Sequence, residues 1–189
     1  MKKRIMIMLA TIMVICMMTG CDDIEEFELS DEPETQSVAD DDYSDGGGSA
    51  LCFSGKDVNG KPVNTADVFA GNRITVVNMW ASWCGPCAGE IPELDMMNAE
   101  LKEQGCAVVG FLTDGEDPGG LKDAKGILED AGATYLNVIC PMTLTDDVGL
   151  EAFPTTFFVD SDGNILGDPV VGAYPDQYMK AVDELLSDM

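Results

Sequence analysis

VVNMWASWCGPCAGEIPEL, residues 76–94, runs from a β-branched apolar segment through two tryptophans into Cys84-Gly85-Pro86-Cys87. A short, Val-rich run reads as a buried strand, here 73–80. Pro86 suits the first turn of a helix, where its missing N–H is no loss. That helix is expected over 86–104, with Pro92 as an internal kink. A strand feeding directly into a helix puts Cys84 at the helix N-terminus, beside unpaired N–H groups and the positive end of the dipole. Both favour thiolate over thiol.

Two cysteines at this spacing have three uses. A structural zinc site needs four ligands, usually two such pairs; this chain has one pair, no histidine, and only scattered Cys52, Cys106 and Cys140 to complete it. No metal is expected. A structural cross-link over so small a loop restrains the unfolded chain little and has no use for a helix terminus. The location suits a redox couple, with Cys84 as nucleophile and Cys87, one turn further in, as the resolving thiol.

Outward from this stretch, strands and helices alternate. Asn59-Gly60 between 53–58 and 61–63 is a two-residue hairpin signal. A second buried strand is expected over 106–112, a helix over 121–131 ending at Gly132, a short strand over 135–139 and a short helix over 146–152. Residues 155–160 and 164–166 form a hairpin across Ser161-Asp162-Gly163, and a helix over 177–186 closes the chain. The pattern is that of an α/β sandwich with a mixed sheet.

The 189 residues suffice for one ordinary domain with attached segments. Lys2-Lys3-Arg4, a run from Ile5 to Met18 that is apolar apart from Thr11, and Thr19-Gly20-Cys21 describe an export signal over 1–20. The apolar run is shorter than the roughly 20 residues a membrane span needs. Met18-Thr19-Gly20-Cys21 resembles a bacterial lipobox, which makes Cys21 the expected lipidation site; a plain signal peptide and an uncleaved anchor are the alternatives. Residues 22–50 are rich in Asp and Glu, carry no basic residue and end in Gly46-Gly47-Gly48-Ser49. Such a segment repels itself and lacks apolar side chains, so residues 21–50 are expected to be a lipidated cysteine and disordered tether, and 51–189 the folded domain. A formal charge of −25 argues against nucleic acid and against attraction to anionic lipid. The absence of histidine excludes Ser-His and Cys-His catalysis.

From Leu51 onward the chain resembles the thioredoxin fold. Trp80-Ala81-Ser82-Trp83-Cys84-Gly85-Pro86-Cys87 looks like its active-site motif, and the wider pattern looks like the TlpA/ResA group of membrane-tethered, extracytoplasmic thiol–disulfide oxidoreductases. The resemblance implies a thioredoxin-like α/β fold with a mixed central sheet flanked by helices. It also implies an N-terminal β-hairpin extension and a helical insertion over 117–135. Phe153-Pro154-Thr155-Thr156 matches the family's cis-proline loop, which pairs with substrate backbone, so Phe153, Pro154 and Thr155 are candidate substrate-binding residues. Pro92 matches the kink proline. Asn78 stands where cytosolic thioredoxins bury an aspartate, and Asn cannot titrate. Glu90 matches an acidic residue of the TlpA/ResA group and becomes, with Cys84 and Cys87, a candidate catalytic residue, able to move a proton if burial raises its pKa. Trp83, Gly85, Pro86, Pro154 and Asn78 are expected to support the site.

The function expected is reduction of disulfides in exported proteins by a monomer anchored through lipid to the outer face of the bacterial cytoplasmic membrane. No cofactor beyond the cysteine pair is required. The resemblance implies a membrane thiol transporter as electron donor and apocytochrome c among the substrates. Gly85-Pro86 matches reducing thioredoxins rather than strong oxidants, although a disulfide-forming oxidant remains an alternative. A thiol peroxidase of the same fold is disfavoured by Ala81, where those enzymes place a threonine, and by the single arginine, Arg73, after Arg4. A non-catalytic binding module of the same fold is the alternative of another class. Cys52, Cys106 and Cys140 are assigned no role, and a second bridge among them stays open.

Overall fold

A computed structural model describes residues 50–189. The expected signal, Cys21 and the tether lie outside the described residues.

Among the described residues, strands β1 (Ser54–Asp57), β2 (Pro62–Asn64), β3 (Ile74–Trp80), β4 (Ala107–Leu112), β5 (Leu136–Ile139), β6 (Thr155–Asp160) and β7 (Val170–Val171) form one mixed sheet. Its order is β2-β1-β5-β4-β3-β6-β7. The three central strands β5, β4 and β3 run parallel, and pairing turns antiparallel at β1 on one flank and β6 on the other. The outermost strands are short, three residues in β2 and two in β7.

Helices α1 (Thr65–Ala70), α2 (Gly85–Lys102), α3 (Pro118–Ala131), α4 (Leu144–Asp147) and α5 (Pro175–Ser187) cover the sheet. β3 is buried along its whole length, and strand periodicity splits its side chains between two cores. Ile74, Val76 and Trp80 pack with Ile91 and Leu94 of α2, Leu128 of α3 and Tyr178 and Val182 of α5. Val77 and Met79 pack with Phe69 of α1 and Leu144 of α4 on the other face. Asn78, between Val76 and Trp80, therefore projects toward α2.

Four local expectations change. The β1–β2 connection is four residues rather than two: the register pairs Lys56 with Pro62, and Val58 is withdrawn into the core, its N–H donating to the Asn137 carbonyl at 3.0 Å. Helix α1 was not anticipated, although Asn64 caps it by accepting from the Ala66 N–H at 2.9 Å. The short helix expected over 146–152 is instead the single turn α4, because the chain adopts a left-handed conformation at Gly149 (φ 63°). The hairpin partner of β6 is also displaced. Residues 164–166 contribute one bridge, Val159 to Ile165, the chain turns at Gly167 (φ 64°), and β7 supplies the ladder opposite Thr155 and Thr156.

Gly110 fixes how β4, β5 and β3 meet. Trp80 Nε1 donates to Asn137 Oδ1 at 3.0 Å directly over it, and a Cβ on residue 110 would collide with the Asn137 amide and stand 3.1 Å from the indole nitrogen. Gly110→Ala should lower the free energy of unfolding by about 2–4 kcal/mol through overpacking and loss of this buried hydrogen bond. Denaturant titration checks it; an unchanged midpoint would show that the amide moves aside freely.

Candidate active site

β3 ends at Trp80, and a short turn leads to Cys84, whose extended backbone (φ −85°, ψ 101°) makes it the N-cap of α2. Its sulfur takes the place of a capping oxygen and accepts from the Cys87 N–H at 3.2 Å. Gly85 and Pro86 form the first turn behind it. Cys84 and Cys87 are joined in a disulfide of 2.02 Å. Cys84 is 5 % exposed and Cys87 1 %, so an incoming thiol or disulfide meets Cys84 first.

Cys87, Glu90, Ile91 and Leu94 share the buried face of α2. Glu90 lies one turn beyond Cys87, a residue 3 % exposed beside the apolar cluster of this face. Asn78 Nδ2 donates to Glu90 Oε1 at 2.8 Å and the Tyr178 hydroxyl lies 3.0 Å from Oε2. The same Asn78 amide donates to Thr156 Oγ1 at 3.0 Å, tying β3, β6 and α2 together at the carboxyl. Burial raises the Glu90 pKa from an ordinary 4.5 to about 7, against the lowering effect of its bonds from Asn78 and Tyr178 and with a further push from Glu93. A carboxyl that titrates near neutrality can hold or accept a proton under ordinary conditions.

The rim is built from β6 and the loops beside it. The Phe153–Pro154 peptide bond is cis, as the resemblance implied. The Thr155 hydroxyl donates to the Ala152 carbonyl at 2.8 Å, and the Gly172 N–H donates to the Pro154 carbonyl at 2.8 Å. Trp83 is exposed and meets Phe153 edge to face, with ring centroids 5.3 Å apart. On the other side of Cys84, Asp114 accepts from the Ser82 hydroxyl at 2.6 Å and from the Ser82 N–H at 3.1 Å. This pins the β3–α2 turn.

Among the described residues, Cys52, Cys106 and Cys140 are unbridged. Cys106 and Cys140 are buried at strand ends and Cys52 is half-buried. Burial pushes the Cys140 thiol up to about 12. Among the described residues, no group of three or more cysteines and carboxylates is arranged to hold a metal ion.

Two contributors escaped the sequence reading, Tyr178 and Asp114, and Thr156 entered it only as part of the cis-proline loop, with no role of its own. Tyr178 carried a usable signal. It sits four residues before Val182 on the apolar face of α5, and a buried tyrosine hydroxyl needs a polar partner. Nothing in the sequence says that this partner is Glu90, 88 residues away.

Residues 46–185 match the Redoxin family model. The thiol:disulfide interchange protein HelX of Rhodobacter capsulatus is 34 % identical over 129 residues, covering 67 % of this chain and 68 % of HelX. The thiol-disulfide oxidoreductase ResA of Bacillus thuringiensis is 24 % identical over 127 residues, covering 67 % of this chain and 69 % of ResA. Among solved structures, a thiol:disulfide interchange protein of the thioredoxin family from Chlorobium tepidum superposes with a TM-score of 0.59 at 26 % identity, covering 72 % of this chain and 94 % of that one. The chain belongs to the Redoxin family and, within it, to the thiol–disulfide oxidoreductases of TlpA/ResA type.

Proposed function

We infer that this Redoxin-family chain is a lipid-anchored, extracytoplasmic oxidoreductase that reduces disulfides in exported proteins through Cys84 and Cys87. The observation that carries the reading is the Cys84 sulfur capping α2 with a buried, near-neutral carboxyl one turn behind its partner. In the reduced enzyme, Cys84 thiolate attacks one sulfur of a substrate disulfide, and the other substrate sulfur leaves as a thiolate that takes up a proton. Cys87 then gives its proton to Glu90 and attacks Cys84, and the second substrate sulfur leaves as a thiolate that takes up the proton Glu90 received, the first having drawn its proton from solvent. The substrate gains two electrons and two protons, and the enzyme is left with the Cys84–Cys87 disulfide. Trp83 and Phe153 offer an apolar surface beside Cys84, and the backbone around Pro154 and Thr155 offers pairing to an extended substrate segment.

The sequence features of residues 1–50 support export and anchoring through Cys21, with the acidic segment as a spacer. Among the described residues no helix is long and apolar enough to cross a membrane. The resemblance supports a membrane thiol transporter as the source of electrons and apocytochrome c among the substrates. Equilibration of the full chain with glutathione tests the direction of transfer. The expected potential lies near the ~−270 mV of reducing thioredoxins, and a value near ~−120 mV would reassign the protein as an oxidant.

A further inference from the structure

The Tyr178 hydroxyl has one hydrogen and two oxygens that compete for it. The Gly172 carbonyl lies 2.6 Å away and Glu90 Oε2 3.0 Å away, while the Tyr174 N–H donates to the phenol oxygen at 3.1 Å. A carbonyl can only accept, so the short contact to Gly172 uses the phenol hydrogen. With Glu90 neutral, that arrangement stands, and the acid proton can itself point at the phenol. With Glu90 ionised, the charged oxygen is the stronger acceptor and draws the hydrogen from Gly172. Gly172 is no neutral bystander: its N–H holds the Pro154 carbonyl at 2.8 Å and it directly follows β7, which pairs with Thr155 and Thr156. Its backbone (φ 104°), with the Tyr174 ring 2.6 Å from where a Cβ would stand, leaves room for glycine alone.

We propose that Tyr178 is a positioning residue that couples the protonation state of Glu90 to the Gly172–Pro154 backbone, so that the rim beside Cys84 senses whether the proton has been transferred. The inference rests on the reading of Glu90 as the proton-handling group. The groups that bond to or act electrostatically on Glu90 are Asn78 from β3, Tyr178 from α5, Tyr135 ahead of β5 and Glu93 on its own helix, with Cys87 buried one turn before it on that helix. Thr156 of β6 lies beside the phenol. Of the carboxylates and cysteines in this set, Glu90 is the one buried between Asn78 and the phenol and bonded to both.

The test is a pH titration of the oxidised full chain by NMR, following the Glu90 side-chain carboxyl carbon and the Gly172 amide. In the wild type the two should share one midpoint near neutrality. In Tyr178→Phe the Glu90 midpoint should rise, because the carboxylate loses a donor, and the Gly172 amide should no longer follow it. In Glu90→Gln the Gly172 amide should be flat across the same range, an arm that does not depend on the Phe variant folding. A Gly172 amide that ignores Glu90 in the wild type, follows it equally in Tyr178→Phe, or still titrates in Glu90→Gln overturns the proposal. Failure of the proton-handling reading looks different: Glu90→Gln would then resolve mixed disulfides as fast as the wild type, whatever the amide does.

Discussion

Cys87→Ser should convert the full chain into a covalent trap, and Cys84→Ser should abolish exchange altogether. In the first variant Cys84 keeps its position at the helix terminus and its exposure, so it still attacks a substrate disulfide. The mixed disulfide that forms has no internal thiol to break it, and its lifetime passes from that of an intermediate to that of a stable adduct. In the second variant the remaining thiol is the inner one, 1 % exposed in the disulfide-bonded protein, and an incoming disulfide cannot reach it. Non-reducing electrophoresis of cells carrying each variant reads both outcomes. Adducts should be abundant with Cys87→Ser, collapse on reduction and be absent with Cys84→Ser. If Cys87→Ser gathers no adducts, the chain is a binding module whose cysteines are incidental. If Cys84→Ser gathers them, the two roles are reversed.

Glu90→Gln should produce the next largest change, visible in both rate and stability. Glutamine preserves the shape and can accept the Asn78 hydrogen bond, yet it cannot carry the proton. Resolution of the mixed disulfide by Cys87 should slow by about 10²-fold near pH 7, the lower range for loss of a positioned acid–base group, while the first attack by Cys84 changes much less. Stopped-flow kinetics with a substrate disulfide separates the two steps; equal rates for variant and wild type would remove Glu90 from the chemistry. Stability supplies an independent check. The native carboxyl titrates at about 7 and the ordinary group at 4.5, so between these values the folded protein binds more protons than the unfolded chain. The stability gained from this raised pKa is therefore fully present below pH ~4.5 and is lost as pH rises through ~7, by on the order of 3 kcal/mol. Denaturation of the oxidised wild type should show that slope, over and above the part due to general charge repulsion, and Glu90→Gln should lack it. Parallel pH profiles for the two proteins would mean that Glu90 is not titrating in the folded state as its burial requires.

Much of this arrangement is legible in the sequence alone. The central strand, the helix with its internal proline, and Cys84 at their junction follow from patterns local in the chain: a Val-rich run, then a proline where a helix starts. The N-terminal hairpin was legible too, but not its loop, because Val58 is drawn away from the turn by a core that only the tertiary fold creates. β7 escaped for a similar reason. Two residues, Val170 and Val171, carry no periodicity, whereas the stronger-looking candidate at 164–166 is cut short at Gly167. At the site, Asn78 and Glu90 were noticed through resemblance, since nothing in the spacing of residues 78 and 90 says that one is hydrogen-bonded to the other. Tyr178 needed the fold itself. Contacts across tens of residues leave no local mark, and this one depends on α5 returning to lie beside α2.

The short outer strands of the sheet bear on a hazard of acting on exported chains. A reductase of exported proteins, as proposed above, meets polypeptides whose backbones are still unpaired, and such chains readily add to any open sheet edge and seed aggregates. β2 offers three residues and β7 two, too little for a stable added strand. On the function proposed above, the protein presents its cysteines to exported chains that are still unfolded, while the sheet of its described residues gives them little edge on which to stack.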